Sequence, residues 1–301
     1  MKKTYIGTVL VMLGALGFSM MPLFALYAYE GGMTVATLLF IRFLTAAVVF
    51  FAYIIFFKKH VPLDFKDILR FILLGGVCYT LQSTFYFSSV KFVSPALAVL
   101  ILYTFPIFVS VLSYIFFKEA LGGKTILAML ISFAGLALVT AAGEGSINAT
   151  GVILALLAAV IYSVYVVLGS HVVKNVPSVV TSAYVTLFAA LGVLVSGLPA
   201  GNIRFDFKTV ALLPLAGITL FSTVFAIFAF FKGLEYLSPT RASILSMLEP
   251  VFTVALTALL LKSSINALQL AGGVIVLAGA AFTVLLQKKA ESPEMVKDAN
   301  C

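Results

Sequence analysis

Apolar residues run along the chain in ten blocks, each long enough to cross a bilayer, with short polar breaks between them. A helix rises about 1.5 Å per residue, so about 20 apolar residues span a hydrocarbon core of about 30 Å. The blocks cover 5–29, 33–57, 66–89, 92–117, 124–142, 150–171, 178–197, 209–234, 238–261 and 265–287. The breaks hold turn formers: Gly31-Gly32, Val61-Pro62 with Asp64, Gly122-Gly123, Pro177-Ser178, and Pro199 through Asp206. Two breaks are tight, after Ser89 and after Leu234. There Ser94-Pro95 and Ser238-Pro239 open new helices, since proline suits a first helical turn. The pattern predicts an all-α membrane protein of ten transmembrane helices.

The blocks form two sets of five that align at one shift of 144 residues. Gly7 falls on Gly151, Ser19 on Ser163, Val35 on Val179 and Thr37 on Thr181. Ser94-Pro95 falls on Ser238-Pro239, Ala98 on Ala242, Pro106 on Pro250, Phe108 on Phe252, Lys118 on Lys262 and Ala134-Gly135 on Ala278-Gly279. A small apolar alphabet explains matched leucines but not matched prolines and glycines. The first repeat is read as 5–142, the second as 150–287, and 288–301 as a cytoplasmic tail. Five is odd, so the second half enters the membrane from the opposite face. Two inverted five-helix repeats are the recurring plan of alternating-access carriers, whose solute site lies near the midplane at the repeat interface. Related halves of opposite orientation can exchange conformations, which gives the two open states similar energies.

Composition agrees with the block pattern. Of 301 residues, 62% are hydrophobic and 10% charged, whereas a soluble domain carries about 25% charged residues. The net charge of +8 does not mark a nucleic-acid partner, because the basic residues sit in short pairs between apolar blocks rather than on one face. With the N-terminus inside, the cytoplasmic segments hold Lys2, Lys3, Lys58, Lys59, Lys66, Arg70, Lys118, Lys124, Lys174, Lys232, Arg241, Lys288, Lys289 and Lys297. The outside holds Lys91, Arg204, Lys208 and Lys262. That bias obeys the positive-inside rule and predicts a multi-pass plasma-membrane protein with both termini in the cytoplasm. The first block is too long for a signal-peptide core and reads as a retained helix. Cys78 and Cys301 imply no disulfide or metal framework. No cofactor is expected: Gly123-Lys124-Thr125 follows Lys118 where a phosphate-binding loop needs glycine. Asn148-Ala149-Thr150 is a glycosylation sequon that matters only in a eukaryotic secretory host. The expected partners are a small-molecule solute and the lipid bilayer, with a monomer expected and a dimer the alternative.

Several segments carry a family resemblance. They are Phe87-Ser88-Ser89-Val90-Lys91-Phe92-Val93-Ser94-Pro95-Ala96, Tyr103-Thr104-Phe105-Pro106 and Phe117-Lys118-Glu119-Ala120-Leu121, then Lys232-Gly233-Leu234-Glu235-Tyr236-Leu237-Ser238-Pro239 and Leu248-Glu249-Pro250-Val251-Phe252. In these the chain resembles the drug/metabolite transporter superfamily, in its ten-helix form built from two EamA domains. One departure is Ser263, which stands where the family usually has an acidic residue after the ninth helix, as Glu119 does after the fourth. The resemblance implies secondary transport or facilitated efflux of small metabolites such as amino acids. It also implies a central cavity lined mainly by helices 1, 3, 4, 6, 8 and 9.

Polar groups are costly in hydrocarbon, so their positions suggest where a solute is handled. Tyr79, Gln82, Ser83 and Tyr86 fall at i, i+3, i+4 and i+7 on the third helix, on one face. They offer a cavity two phenols, an amide and a hydroxyl, although serine and glutamine also tie helices together. Tyr162 and Tyr165 make a shorter stripe on the sixth helix, opposite Phe18 and Met21 on its repeat partner. Tyr103, Ser222 and Ser246 join them by depth in helices expected to line the cavity. Pro106 and Pro250 lie mid-helix, where each removes a backbone hydrogen bond and kinks the helix. Two charges lie at depth: Glu249 about 16 Å into the ninth helix and Arg42 about 14 Å into the second. The alternatives for them are solute binding, proton coupling through Glu249, or a structural pair. Their helices belong to different halves, so Glu249 is placed near the Pro106–Pro250 crossover, bonded to hydroxyl or backbone groups. An enzyme reading lacks a constellation, since His60 and His171 lie near loops and Asp64, Asp67, Asp206 and Asp298 lie in or beside loops or in the tail. A channel reading lacks a filter or a charged ring. The sequence therefore predicts a secondary transporter, an exporter by resemblance, and not an enzyme.

Overall fold

The computed structural model describes residues 2–57, 62–89, 92–93, 95–119, 122–140, 148–261 and 266–290. Lys58-Lys59, His60, Lys91, Ser94, Lys262, Ser263 and the tail beyond 290 lie outside them. The described residues hold ten spanning helices and no strand. These are α1 (Lys3–Glu30), α2 (Val35–Phe56), α3 (Phe65–Ser89), α4 (Leu97–Phe117), α5 (Gly123–Thr140), α6 (Ala149–Val172), α7 (Ser178–Gly197), α8 (Thr209–Leu234), α9 (Pro239–Leu260) and α10 (Ala267–Leu286). Four start on side-chain caps that satisfy an otherwise unpaired N–H. Thr34 accepts from Thr37 N, Asp64 from Asp67 N, Asn148 from Thr150 N and Ser238 from Arg241 N. Large apolar side chains face outward, Leu213 being 82% exposed, while Thr181, Thr186, Thr223 and Thr240 are buried. Lipid is the solvent that makes this arrangement stable.

Packing between the halves is reciprocal. α1 packs on α8 and α6 on α3, which are the same pair under the repeat shift; α2 pairs with α7, and α5 with α10. The match reaches single atoms. A side chain at Gly7 would meet Tyr236, Leu237 and Gly233, and one at Gly151 would meet Phe92, Val93 and Ser89, each neighbour displaced by the same 144 residues. At the α5–α10 contact, a Cβ on Gly135 would lie 2.7 Å from the Gly272 carbonyl oxygen, and one on Gly279 would lie 3.0 Å from that of Ala128. Small residues let the helix backbones touch there, as in membrane helix pairs generally. The second five-helix half is the first one inverted.

Three spans are broken at the centre. α4 has a turn at Tyr103-Thr104 and α9 one at Met247-Leu248, again at equivalent positions. Pro106 and Pro250 cannot donate to the carbonyls of Leu102 and Ser246, and the chain responds with tighter bonds, Thr104 N to Ile101 O (3.0 Å) and Met247 N to Ile244 O (3.1 Å). α1 breaks at Met20, two residues before Pro22, while its repeat partner α6 has Val166 at the equivalent position and is continuous. The Ser19 carbonyl, next to the break, accepts from the Thr253 hydroxyl of α9 (3.3 Å). α3 and α8 carry π-helical stretches, Ile72–Tyr79 and Leu220–Phe225. Such wide turns frequently mark functional segments.

The two ends of the bundle differ. On the face that holds the start of α1 and the end of α10, here the terminal face, the first part of α9 packs against α1, α4 and α6. On the far face, the outer half of α1 (Met21–Glu30) packs on α2 and α8, and the outer half of α9 (Glu249–Leu261) packs on α1, α5 and α10. Neither packs extensively on the outer halves of α3, α4 or α6. Among the described residues, packing between α1/α9 and α3/α4/α6 is therefore concentrated at the terminal face, an arrangement that leaves room for a chamber between them opening at the far face.

Candidate functional site

The floor of the chamber lies where the broken helices cross. The break in α4 turns Tyr103 toward α9, which brings its hydroxyl within reach of the Glu249 carboxyl group. Glu249 sits deep in the bundle at the start of the outer segment of α9, yet keeps accessible surface. A group with many neighbours and remaining exposure faces a cavity rather than a packed core. Tyr86 and Tyr162 are likewise only half-buried and lie within electrostatic reach of the Glu249 carboxylate; Tyr86 also faces Tyr29 of α1.

A row of rings joins Glu249 to the other deep charge. Tyr103 neighbours Phe105 at 5.8 Å between centroids, and Phe105 meets Tyr162 edge-on at 4.7 Å. Tyr162 stacks on Tyr165 at 5.8 Å, Tyr165 contacts Tyr79 at 5.5 Å, and Tyr79 meets Phe43 edge-on at 4.9 Å. Edge-to-face and offset pairs at these distances are the favoured aromatic geometries. Arg42 stands at the end of the row. Its guanidinium lies 4.5 Å from the Phe43 centroid, and Nη2 donates to the Tyr79 hydroxyl at 3.0 Å. Nη1 lies 2.6 Å from the Met21 sulfur, and Nε has no partner. Arg42 is 2% exposed, and among the described residues no carboxylate lies within ion-pair distance of it.

The remaining candidates fall elsewhere. Ser83 is buried and its hydroxyl is 3.4 Å from its neighbour Gln82, which is half-buried. The π-helical stretch ends at Tyr79, so an ideal α-helical face does not carry from Tyr79 through Tyr86, although Tyr79 joins the ring row and Tyr86 lies near Glu249. Ser222 is fully buried with no hydrogen-bond partner, and Ser246 donates to the Ala242 carbonyl of its own helix at 3.0 Å. Arg42 and Glu249 form no ion pair in this conformation. Tyr29, Phe43 and Phe105 were not singled out from the sequence. Phe105 stands beside Pro106 in the segment that carries the family resemblance, and Phe43 directly follows the buried charge. Among the described residues, no group of three or more His, Cys, Asp or Glu is placed to hold a metal.

The terminal face is closed by specific contacts. Thr240 at the start of α9 donates to Glu119 just beyond α4 at 3.0 Å. The Phe117 and His171 rings stack at 6.2 Å, with Lys174 Nζ 4.9 Å from the Phe117 centroid. Glu235 accepts from Ser178 N at 3.2 Å and pairs with Lys232 at 2.6 Å. In the same half of the membrane the hydroxyls of Ser113, Ser170, Thr181 and Ser182 are buried without partners.

Sequence comparison joins this geometry to a family. The EamA-like transporter family matches the chain twice, over residues 5–141 and 149–285. The chain belongs to the EamA-like transporter family. It is 26% identical over 259 residues to the uncharacterized transporter YdfC of Bacillus subtilis, covering 86% of this chain and 84% of that protein. It is 25% identical over 258 residues to an uncharacterized transporter of Archaeoglobus fulgidus, covering 83% and 88%. A crystal structure with 21% identity superposes with a TM-score of 0.79, covering 95% of this chain and 99% of the other, so the fold is shared. As a member of the EamA-like family the protein is an integral membrane transporter, and its ten spans are the two family domains in tandem.

Proposed function

We propose that the protein is a secondary transporter that exports small amphipathic metabolites, amino acids among them, across the plasma membrane by alternating access. One observation carries this reading: among the described residues α9 packs on α4 and α6 at the terminal face but not extensively at the far face, with the half-buried Tyr162 and Glu249 between, which supports a mid-membrane chamber sealed toward the terminal face and open toward the far one. The positive-inside bias assigns the sealed terminal face to the cytoplasm, with both termini there, so the conformation is outward-open. The partnerless hydroxyls of Ser113, Ser170, Thr181 and Ser182 support the second state. Buried hydroxyls without partners are costly, and opening the terminal face would hydrate them. Tyrosine rings beside a carboxyl group suit a solute with an apolar body and a polar end. The halves are complete in one chain, which suits a monomer.

The test is counterflow. Purified protein in sealed liposomes, preloaded with one amino acid at millimolar concentration, should accumulate the labelled form of the same compound. A panel of the twenty amino acids should give saturable uptake for a subset, with aromatic and branched members leading. Absence of counterflow for every member would remove amino acids as the solute. Non-saturable flux without counterflow would remove the carrier mechanism.

A further inference from the structure

We propose that Arg42 is the anion anchor of the transport site, with the Met21 sulfur occupying the position that a solute carboxylate takes. The inference rests on the transporter reading above and adds the charge of the solute and the residue that reads it. Burying a guanidinium without an anion is costly, so such a group normally pairs with a carboxylate. Arg42 is 2% exposed, yet among the described residues its hydrogen-bond partners are a phenol and a thioether, and Nε has none. A thioether is a weak acceptor on a flexible side chain, whereas a carboxylate takes two parallel bonds from the guanidinium fork. Met21 follows the break in α1, at the start of its outer segment, which borders the open side of the chamber. Its side chain can leave the guanidinium without unfolding a helical turn.

The place of Arg42 at the end of the ring row fits the same assignment. Tyr79 bonds Arg42 and is the next ring in the row that leads to Tyr162 and Glu249. A solute whose carboxylate meets Arg42 would lay its apolar body along that row. Glu249 would repel an anion at the other end, so the two charges fix the solute's direction. The chemical class is an amphipathic carboxylate, with an apolar or aromatic body.

Three compounds sharing one skeleton test this: 3-phenylpropanoate, its neutral amide, and phenethylamine. The readout is the thermal unfolding midpoint of the purified protein in chloride-free buffer, titrated with each compound. The carboxylate should raise the midpoint, and the amide and amine should not. Arg42→Gln should abolish the effect, and Arg42→Lys should raise the half-saturating concentration about tenfold, because lysine cannot offer the bidentate fork. Met21→Leu removes the competing sulfur and should lower that concentration about threefold. Failure of the carboxylate to act on the wild type overturns the proposal, as does an equal effect on Arg42→Gln. If Arg42→Gln does not fold, unchanged half-saturation in both Arg42→Lys and Met21→Leu overturns it instead. Counterflow of neutral or cationic solutes in the same preparation, with no carboxylate binding, would leave the transporter reading standing and remove Arg42 alone. No counterflow of any charge class would remove both.

Discussion

In the proposed alternating-access cycle, the Thr240–Glu119 bond is a contact that opening the terminal face must break. Thr240→Val keeps the shape of the side chain and deletes the donor. Thr240 is fully buried and donates at 3.0 Å to a carboxylate oxygen, a charge-assisted bond worth about 1.5–3 kcal/mol when shielded. Glu119 is half-exposed, so water replaces part of the loss and about 1 kcal/mol remains. That figure corresponds to about a fivefold shift toward the state open at the terminal face. Ser170 reports the shift, because it is fully buried in the terminal half of α6. With Cys301 removed, Ser170→Cys should react with a membrane-impermeant maleimide from the terminal face about five times faster in the Thr240→Val background. Thr240→Ser keeps the donor and should label at the parent rate. Equal rates in Thr240→Val and its parent would refute the gating role of this contact and the reasoning that led to it.

Other perturbations follow from the same geometry. Gly7→Val should lower stability by about 1–3 kcal/mol in thermal or denaturant unfolding, since its Cβ would sit 2.8 Å from that of Tyr236; Gly122→Ala, with nothing within 4 Å, should be neutral. Tyr103→Phe deletes the hydroxyl within reach of Glu249 and should raise the half-saturating solute concentration in counterflow about tenfold, with normal expression and folding. Glu249→Gln should fold, and, if transport is proton-coupled, flux through it should lose most of its pH dependence; unchanged flux with an unchanged pH response would make Glu249 structural. Pro22→Ala restores the donor that α1 lacks and should raise the unfolding midpoint while slowing counterflow, because the break that frees Met21 closes.

The fold was legible because the membrane leaves the chain few options. Span length follows from bilayer thickness, and breaks such as Gly122-Gly123 and Ser238-Pro239 had to fall between spans. The shift of 144 residues pointed to inverted halves, and the same shift relates the neighbours of Gly7 and Gly151 in space. The site was legible only as depth. Tyr103, Tyr162, Glu249, Ser222 and Ser246 are all polar and all far from a membrane face. The fold gathers the first three and turns Ser246 onto its own helix, while Ser222 is sealed away. Depth fixes position along a helix axis but not direction around it, and the π-helical stretch before Thr80 shifts that direction further. Pro22 was the overlooked signal. It lies inside an apolar run without a counterpart in the second copy, and so marks where the repeats stop being equivalent.

Pro22, unmatched in the second copy, would set a preference between the two ends of the proposed transport cycle. Exchanging the conformations of the halves turns a carrier open at one face into its mirror image, and would require α1 to straighten while α6 bends near Val164. Straightening α1 drives the Pro22 ring against the Phe18 carbonyl, a penalty of about 3 kcal/mol, whereas bending α6 gains no such relief. On the proposed alternating-access cycle, that margin alone would hold the empty carrier open at the far face about a hundred times more often than at the terminal face. The duplicated halves would then share an architecture but not a resting energy, a difference that solute binding or an ion gradient would have to supply on each return.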